Sequence, residues 1–535
     1  MPLTSLSPLS AVRGAVPTPS IDREALRQRV QEAGGSAQAS VSVAATALTL
    51  ASDDAAPTAS LIWSPLPQDR VVPPDNTYGP LVSVAWGSGP KAELPDSPAT
   101  EPQRVQAWAT APAGDAISRQ MARNEFRSTE RTLASQWNGL GSALLSLASA
   151  PSTSPLNYQQ TLLSAADPTQ PLKEQFDRLQ KGATTVTLQI KTRSGQTVDL
   201  QIAVNRQPGA LGEGSSQGLQ VSVSSTGPLS ETERRALAAL SQGLEDTLAG
   251  LGDADAPEID LSGLLAYDRS AFSQLNLDIQ NPTASAALGS FALHLGDGGS
   301  SLSYQGAAGK MDLRLDATPP FQTGSAQQRQ AAIAQQLQLI DAAADRGHAD
   351  EKLVALFKSS FSQLHGAAPT TASDTPVGET GAVDAALVEK VQPLLSGLVD
   401  FEASFSGDFS RNNRWGNVNE QGKAQYAINQ KTTVDADRKE KTAGIIQTQS
   451  EQLQSNYAKA RYDGALNVES GNFDRYAIQD HRTVSTLISA ADNKLTSAVR
   501  STDRQQLETH ETVVKHRVVD RRETPDQQHL LTLLM

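Results

Sequence analysis

Between residues 184 and 318 the apolar residues recur at every second position, run after run. A chain with that period can do little except build an antiparallel sheet buried on one side. Val186, Leu188 and Ile190 alternate with Thr, Gln and Lys. Beyond Arg193-Ser194-Gly195-Gln196, the residues Val198, Leu200, Ile202 and Val204 share one face, so the two runs read as a β-hairpin. Leu219, Val221 and Val223 make a third strand. Four more runs follow: Leu275, Leu277, Ile279; Phe291, Leu293, Leu295; Leu302, Tyr304; and Met311, Leu313, Leu315. Between the third and fourth strands Ser230 and Glu233 form a capping box, and Leu237, Leu240, Leu244, Leu248 and Leu251 follow at helical spacing. The segment 184–318 therefore predicts about seven strands around one helix at 230–250.

Helical spacing returns on both sides. Met121, Phe126, Leu133, Trp137, Leu140, Leu144 and Leu147 predict helices from residue 118. Further helical segments are expected at 157–166 and 171–180, so that 118–180 is helical and 118–320 forms an α+β core. Residues 321–397 read as helical, with Ile333, Leu337 and Ile340 on one stripe and Leu353, Leu356, Phe357, Phe361 and Leu364 on another. A Pro/Thr/Ala linker at 366–380 separates them from a helix carrying Val383, Leu387 and Val391, which Pro393 limits.

The first 117 residues are rich in Ala, Ser, Pro and Thr and read as a low-complexity, mostly disordered leader. One short helix is expected at 21–33. Residues 398–535 form a polar, β-rich C-terminal extension. Val399, Phe401, Ala403 and Phe405 alternate in one strand. The later runs are long and full of Gln, Asn, Thr, Arg and Asp. Two-sided strands are the leading reading there, with helix the alternative for 442–460 and 484–507. Strands with little apolar surface invite pairing with another chain. The extension, with its tail Leu530-Leu531-Thr532-Leu533-Leu534-Met535, is thus the expected site of partner contact or self-association.

The fold class is α+β, and the chemistry is defined by what is missing. The chain of 535 residues has no cysteine, which excludes disulfides, thiolate nucleophiles and Cys-held zinc. The net charge of −13 and pI of about 5.1 give no basic surface for nucleic acid. No stretch is long and apolar enough to span a membrane as a helix. The first residues lack the basic and apolar regions of a Sec signal peptide, which leaves a cytoplasmic place or a leaderless route of export.

Gly139-Leu140-Gly141 lies within a helical stripe and lacks the strand, turn and third Gly of a dinucleotide site. The acidic run Asp253–Asp260 is broken by Pro257 and reads as a loop rather than a calcium site. His294, His348, His365, His481, His510, His516 and His529 are scattered and read as surface residues. Trp137 is expected in the core, and Trp415 as a loop anchor. No catalytic, cofactor-binding or metal-ligating residue is assigned, and no cofactor is expected.

The stretches Leu188–Gly195 and Gly227–Leu237, then Ile259-Asp260-Leu261-Ser262-Gly263-Leu264 with Tyr267-Asp268, resemble a family of uncharacterised proteobacterial proteins over about 135–320. Members of that family are sometimes labelled "lactate dehydrogenase". The resemblance implies that label but supplies no dinucleotide-binding opening and no catalytic histidine loop. Three classes of function are carried forward. The first is a non-enzymatic binding or assembly protein. The second is a leaderless exported, appendage-, secretion-associated or effector-like protein. The third is an enzyme on the family label alone.

Overall fold

The computed structural model describes residues 105–108, 115–126, 132–165, 171–207, 216–252, 259–282, 287–316, 323–368, 385–437 and 441–534. Most of the leader, the helix expected at 21–33, residues 253–258 and most of the linker lie outside these ranges. So do Trp63, Trp86 and Met535.

One antiparallel sheet of fifteen strands runs through the described residues. Its first strand is β1 (Val105–Trp108), which lies inside the segment expected to be leader and pairs with β2 (Asn157–Ala165). Next come β5 (Ser216–Ser225), β4 (Thr197–Gln207) and β3 (Thr184–Thr192). From there the order follows the chain: β6 (Phe272–Gln280), β7 (Ser290–Gly296), β8 (Gly299–Gly306) and β9 (Gly309–Asp316). A final meander adds β10 (Phe401–Asn412), β11 (Val418–Asp437), β12 (Thr442–Lys459), β13 (Phe473–Ala491), β14 (Lys494–Val514) and β15 (Arg517–Leu533). Because β9 pairs with β10, the C-terminal extension continues the core sheet.

The period-two residues all fall on one face. Leu188, Leu200 and Val223 lie in register across β3, β4 and β5, and Leu277, Leu293, Leu302, Leu313 and Ala403 continue the row from β6 to β10. Helices α1 (Ala116–Phe126), α2 (Leu133–Trp137), α3 (Leu140–Ala148), α5 (Glu231–Leu251), α6 (Ser262–Leu265), α7 (Ala326–Gly347) and α8 (Glu351–Ala367) complete the hydrophobic cluster above that face. The helix α4 (Leu172–Lys181) packs on the opposite face, where Leu179 closes against Gly218 and its carbonyl accepts a hydrogen bond from the Asn205 amide.

That placement corrects the helix expected at 157–166, which is strand β2. Tyr158 and Leu162, four apart, imitate a helical stripe. In fact Gln160 and Leu162 face α1 while Thr161 and Leu163 face the side of α4, and all four are buried. A strand covered on both faces shows no alternation, so its period cannot be read.

The capping box forms as the sequence predicts. Ser230 Oγ accepts from the Glu233 N–H at 3.3 Å, and the Glu233 carboxylate accepts from the Ser230 N–H at 2.7 Å. Glu233 also accepts from the Ser194 hydroxyl at 2.6 Å, which ties the helix start to the β3–β4 turn. Burial acts to raise the Glu233 pKa, but these hydrogen bonds win and hold it below the usual value. Ser230→Ala is expected to lower stability by about 1 kcal/mol, read from the urea unfolding midpoint at constant slope.

Beyond β10 the helices thin out while the strands lengthen. Strands β11 to β15 have 20, 18, 19, 21 and 17 residues, which settles 442–460 and 484–507 as strand rather than helix. Their apolar face is sparse but present. Ser455 donates to the Gly347 carbonyl at 2.6 Å, seating the end of α7 against β12. The short helix α9 (Ala385–Val391), stopped by a 3-10 turn holding Pro393, covers Ile445, Ile488 and Ala498.

Candidate functional site

The outermost hairpin differs from everything before it. Lys515 and His516, both at positive φ (50° and 62°), make the two-residue turn between β14 and β15. That geometry matches the right-handed twist of the strands it joins. Val513 then pairs with Val518 and Thr512 with Asp520, leaving Val519 bulged. Every residue of β15 is exposed. Neither face is covered and no strand lies beyond it among the described residues.

The backbone of β15 has a definite polarity. The Leu534 N–H donates to the Ala498 carbonyl at 2.8 Å. Hydrogen-bonding positions alternate along an antiparallel strand, so the even-numbered residues from 520 onward bond to β14. The odd-numbered ones, Arg521, Glu523, Gln527, His529, Leu531 and Leu533, aim N–H and C=O at the open edge. Pro525 falls on this outward set, where its missing N–H costs the existing ladder nothing.

Large apolar groups gather on this strand. Leu530, Leu531 and Leu533 are 53%, 64% and 68% exposed, and Val518 and Val519 48% and 60%. On the face that α9 does not touch, Leu533 extends a half-buried row of Val499, Leu487 and Ile446, paired strand to strand.

Near the other end of the meander, on the α7 side, runs a ladder of rings. Tyr457, Tyr476 and His510 are paired in register on β12, β13 and β14. Their centroids are 4.7 and 4.5 Å apart, with planes 12° and 6° from parallel. His348, at the C-cap of α7 with φ 58°, stacks on Tyr457 at 4.5 Å. Its Nδ1 meets the buried Glu420 carboxylate. Gly422 lies between Phe409 and Tyr457 in the register, where a Cβ would run into Tyr457, and His348 stands beside both rings. Tyr476→Leu keeps bulk and removes both stacks. It is expected to cost about 1–2 kcal/mol, visible as a lower unfolding midpoint.

The two loops beyond this ladder present Trp415, 56% exposed, and Tyr462, 81% exposed. The Arg414 guanidinium lies 4.1 Å from the Trp415 ring centre and pairs with Asp463. Trp415 is therefore an exposed ring under a guanidinium and not the loop anchor expected from sequence.

The remaining candidates do not assemble into a reactive centre. Gly139 caps α3 at φ 70°, inside the helical layer, and Trp137 is buried with its indole N–H on the Leu248 carbonyl at 3.0 Å. Asp278, pushed up to about 6 by burial, stands on the polar face of the sheet. Along the register Ala292 and Ser303 separate it from Asp312. Among the described residues no group of three or more His, Asp or Glu could hold a metal ion, and no helix is long and apolar enough to cross a membrane.

The expectation that all histidines lie on the surface is overturned by His365, which is 1% exposed. It sits edge-on between Phe361 and Phe401, and neither ring nitrogen meets a hydrogen-bond partner among the described residues. Burial, reinforced by the Arg329 charge, pushes its pKa down to about 3. The folded protein thus keeps His365 neutral while the unfolded chain takes up a proton near its ordinary value of 6.5. The stability involved is present above pH 6.5 and is lost as pH falls toward 3. His365→Phe is expected to remove this loss. The variant should gain on wild type by up to about 1.4 kcal/mol per pH unit between pH 6 and 4, measured by chemical unfolding at each pH.

Comparison with models of known protein families, with characterised proteins and with solved structures gives no match.

Proposed function

We propose that the protein is a binding or assembly component rather than an enzyme, and that it engages another polypeptide by strand addition at the open edge of β15. The observation that carries this reading is the strand itself. It has 17 residues, all exposed, with its outward backbone groups unpaired by any described strand and with apolar side chains at its end. Backbone donors and acceptors need partners, and a further strand supplies them in register. Water can also serve, but it cannot cover Leu530, Leu531 and Leu533. The length of β15 sharpens the point, since proteins commonly keep unprotected edge strands short.

Outward and inward positions allow a clean test. Proline at both Gln527 and Leu531 removes two outward N–H groups while sparing those bonded to β14. The double variant is expected to keep the wild-type melting temperature. It is also expected to lose association, both in light scattering of the full chain at tens of micromolar and in recovery of co-purifying protein with a tagged chain. Gln528→Pro, which removes an inward N–H, should lower the melting temperature. If the double-proline variant associates as wild type does in both assays, strand addition at β15 is wrong.

A further inference from the structure

Building on strand addition at β15, we infer that the added strand is β15 of a second copy of this chain, paired antiparallel across a two-fold axis that passes through Thr524. Charge complementarity along the edge selects both the partner and the register.

An antiparallel partner must set outward positions opposite outward positions, so each possible axis passes through one residue and places it opposite its own copy. The charges of β15 disfavour the axes through its charged middle, while axes at Gln527 and beyond bring no opposite charges together. An axis at Arg521, Arg522 or Asp526 sets that residue against itself. An axis at Glu523 does the same and also opposes Asp520 to Asp526. Like charges directly opposite each other are unfavourable. An axis at Pro525 sets Arg521 against His529 and Asp520 against Leu530.

The axis at Thr524 alone gives opposite charges without a like pair. Arg522 faces Asp526 of the second copy, and by symmetry Asp526 faces the second Arg522. Arg521 meets Gln527, Asp520 meets Gln528, and Glu523 meets Pro525. Asp526 already accepts from Arg504 at 2.7 Å, so its carboxylate would lie between two guanidinium groups. The bulge at Val519 ends the regular pairing at the point where the exposed Val518 and Val519 approach Leu530 and Leu531 of the other chain. The apolar groups that no described residue covers in one copy are thus brought together by the register the charges choose. With neither face of β15 carrying a helix among the described residues, the two sheets join without obstruction from them.

A single-cysteine scan reads the register directly, because the chain has no cysteine of its own. Thr524 would meet its copy in a non-hydrogen-bonded pair, with Cα atoms about 4.5 Å apart, a separation a disulfide can bridge. Thr524→Cys in the full chain is expected to form a disulfide-linked dimer under mild oxidation. Arg522→Cys and Asp526→Cys, several ångströms from their own copies, are expected to stay monomeric on a non-reducing gel. A monomeric Thr524→Cys protein, or equal cross-linking at all three positions, overturns the register.

A second test is independent of cysteine chemistry. Arg522→Asp alone sets Asp against Asp, and Asp526→Arg alone sets Arg against Arg, so each variant is expected to be monomeric by light scattering. Mixed in equal amounts they restore both opposite pairs and should recover the dimer. Failure of the mixture to associate counts against the pairing. If wild type is monomeric while the double-proline variant still loses a captured protein, the second copy is the wrong partner and strand addition stands. If the proline pair changes nothing, both fall.

Discussion

The backbone ladder of one continuous antiparallel sheet is what the rest of this structure depends on. Fifteen described strands share it, and the N–H and C=O groups of each interior strand are satisfied by its neighbours. Such a ladder has two ends unless it closes into a barrel. Among the described residues it does not close. The long meander therefore solves one problem, pairing every interior strand, by exporting another to β15.

The energetic basis of the ladder changes along its length. From β3 to β10 one face is a row of Val, Leu, Ile and Phe under helices, and apolar burial at about 25 cal/mol per Å2 dominates. From β11 outward the helices give only local cover, through the end of α7 and through α9. Rings, amides and ion pairs take over. Tyr457, Tyr476 and His510 stack across the strands, Glu451 pairs with Arg482, and Gln430, Gln447 and Ser396 join in a buried polar network. Exposed ion pairs contribute little each, so the outer strands rely on neighbouring backbone for their order. Among the described residues the last strand has a neighbour on one side only.

The period-two core was legible because its strands are buried on one face, and so was the Ser230–Glu233 cap, a local signal. Strand β2 was not, since burial on both faces erased its alternation. The ring ladder was invisible for a different reason. His348, Phe409, Tyr457, Tyr476 and His510 come from five separate elements, and only the register of β10 to β14 brings them together. His365 looked like any polar residue on a helix until the packing of Phe361 and Phe401 enclosed it. The polar runs of the extension did betray their character: a sequence too polar to bury both faces, too alternating to be coil, reads as strand. What they concealed was the alternation of backbone direction along β15, which depends on a bulge at Val519 and a turn at Lys515-His516 that carries no glycine.

Charged residues and proline on an edge strand are usually a defence against unwanted pairing. On β15 they form a filter. Pro525 removes one outward donor at a position that leaves the ladder to β14 whole. Arg521, Arg522, Glu523 and Asp526 oppose like charges in the registers centred on themselves that a sliding partner strand of the same sequence would sample. An edge that only repelled would have no use for Leu530, Leu531 and Leu533 at its end, each exposed and each costly to leave in water. Repulsion along the middle and attraction at the end together allow few pairings, and specificity here arises from the exclusion of neighbouring registers as much as from the contacts of the favoured one.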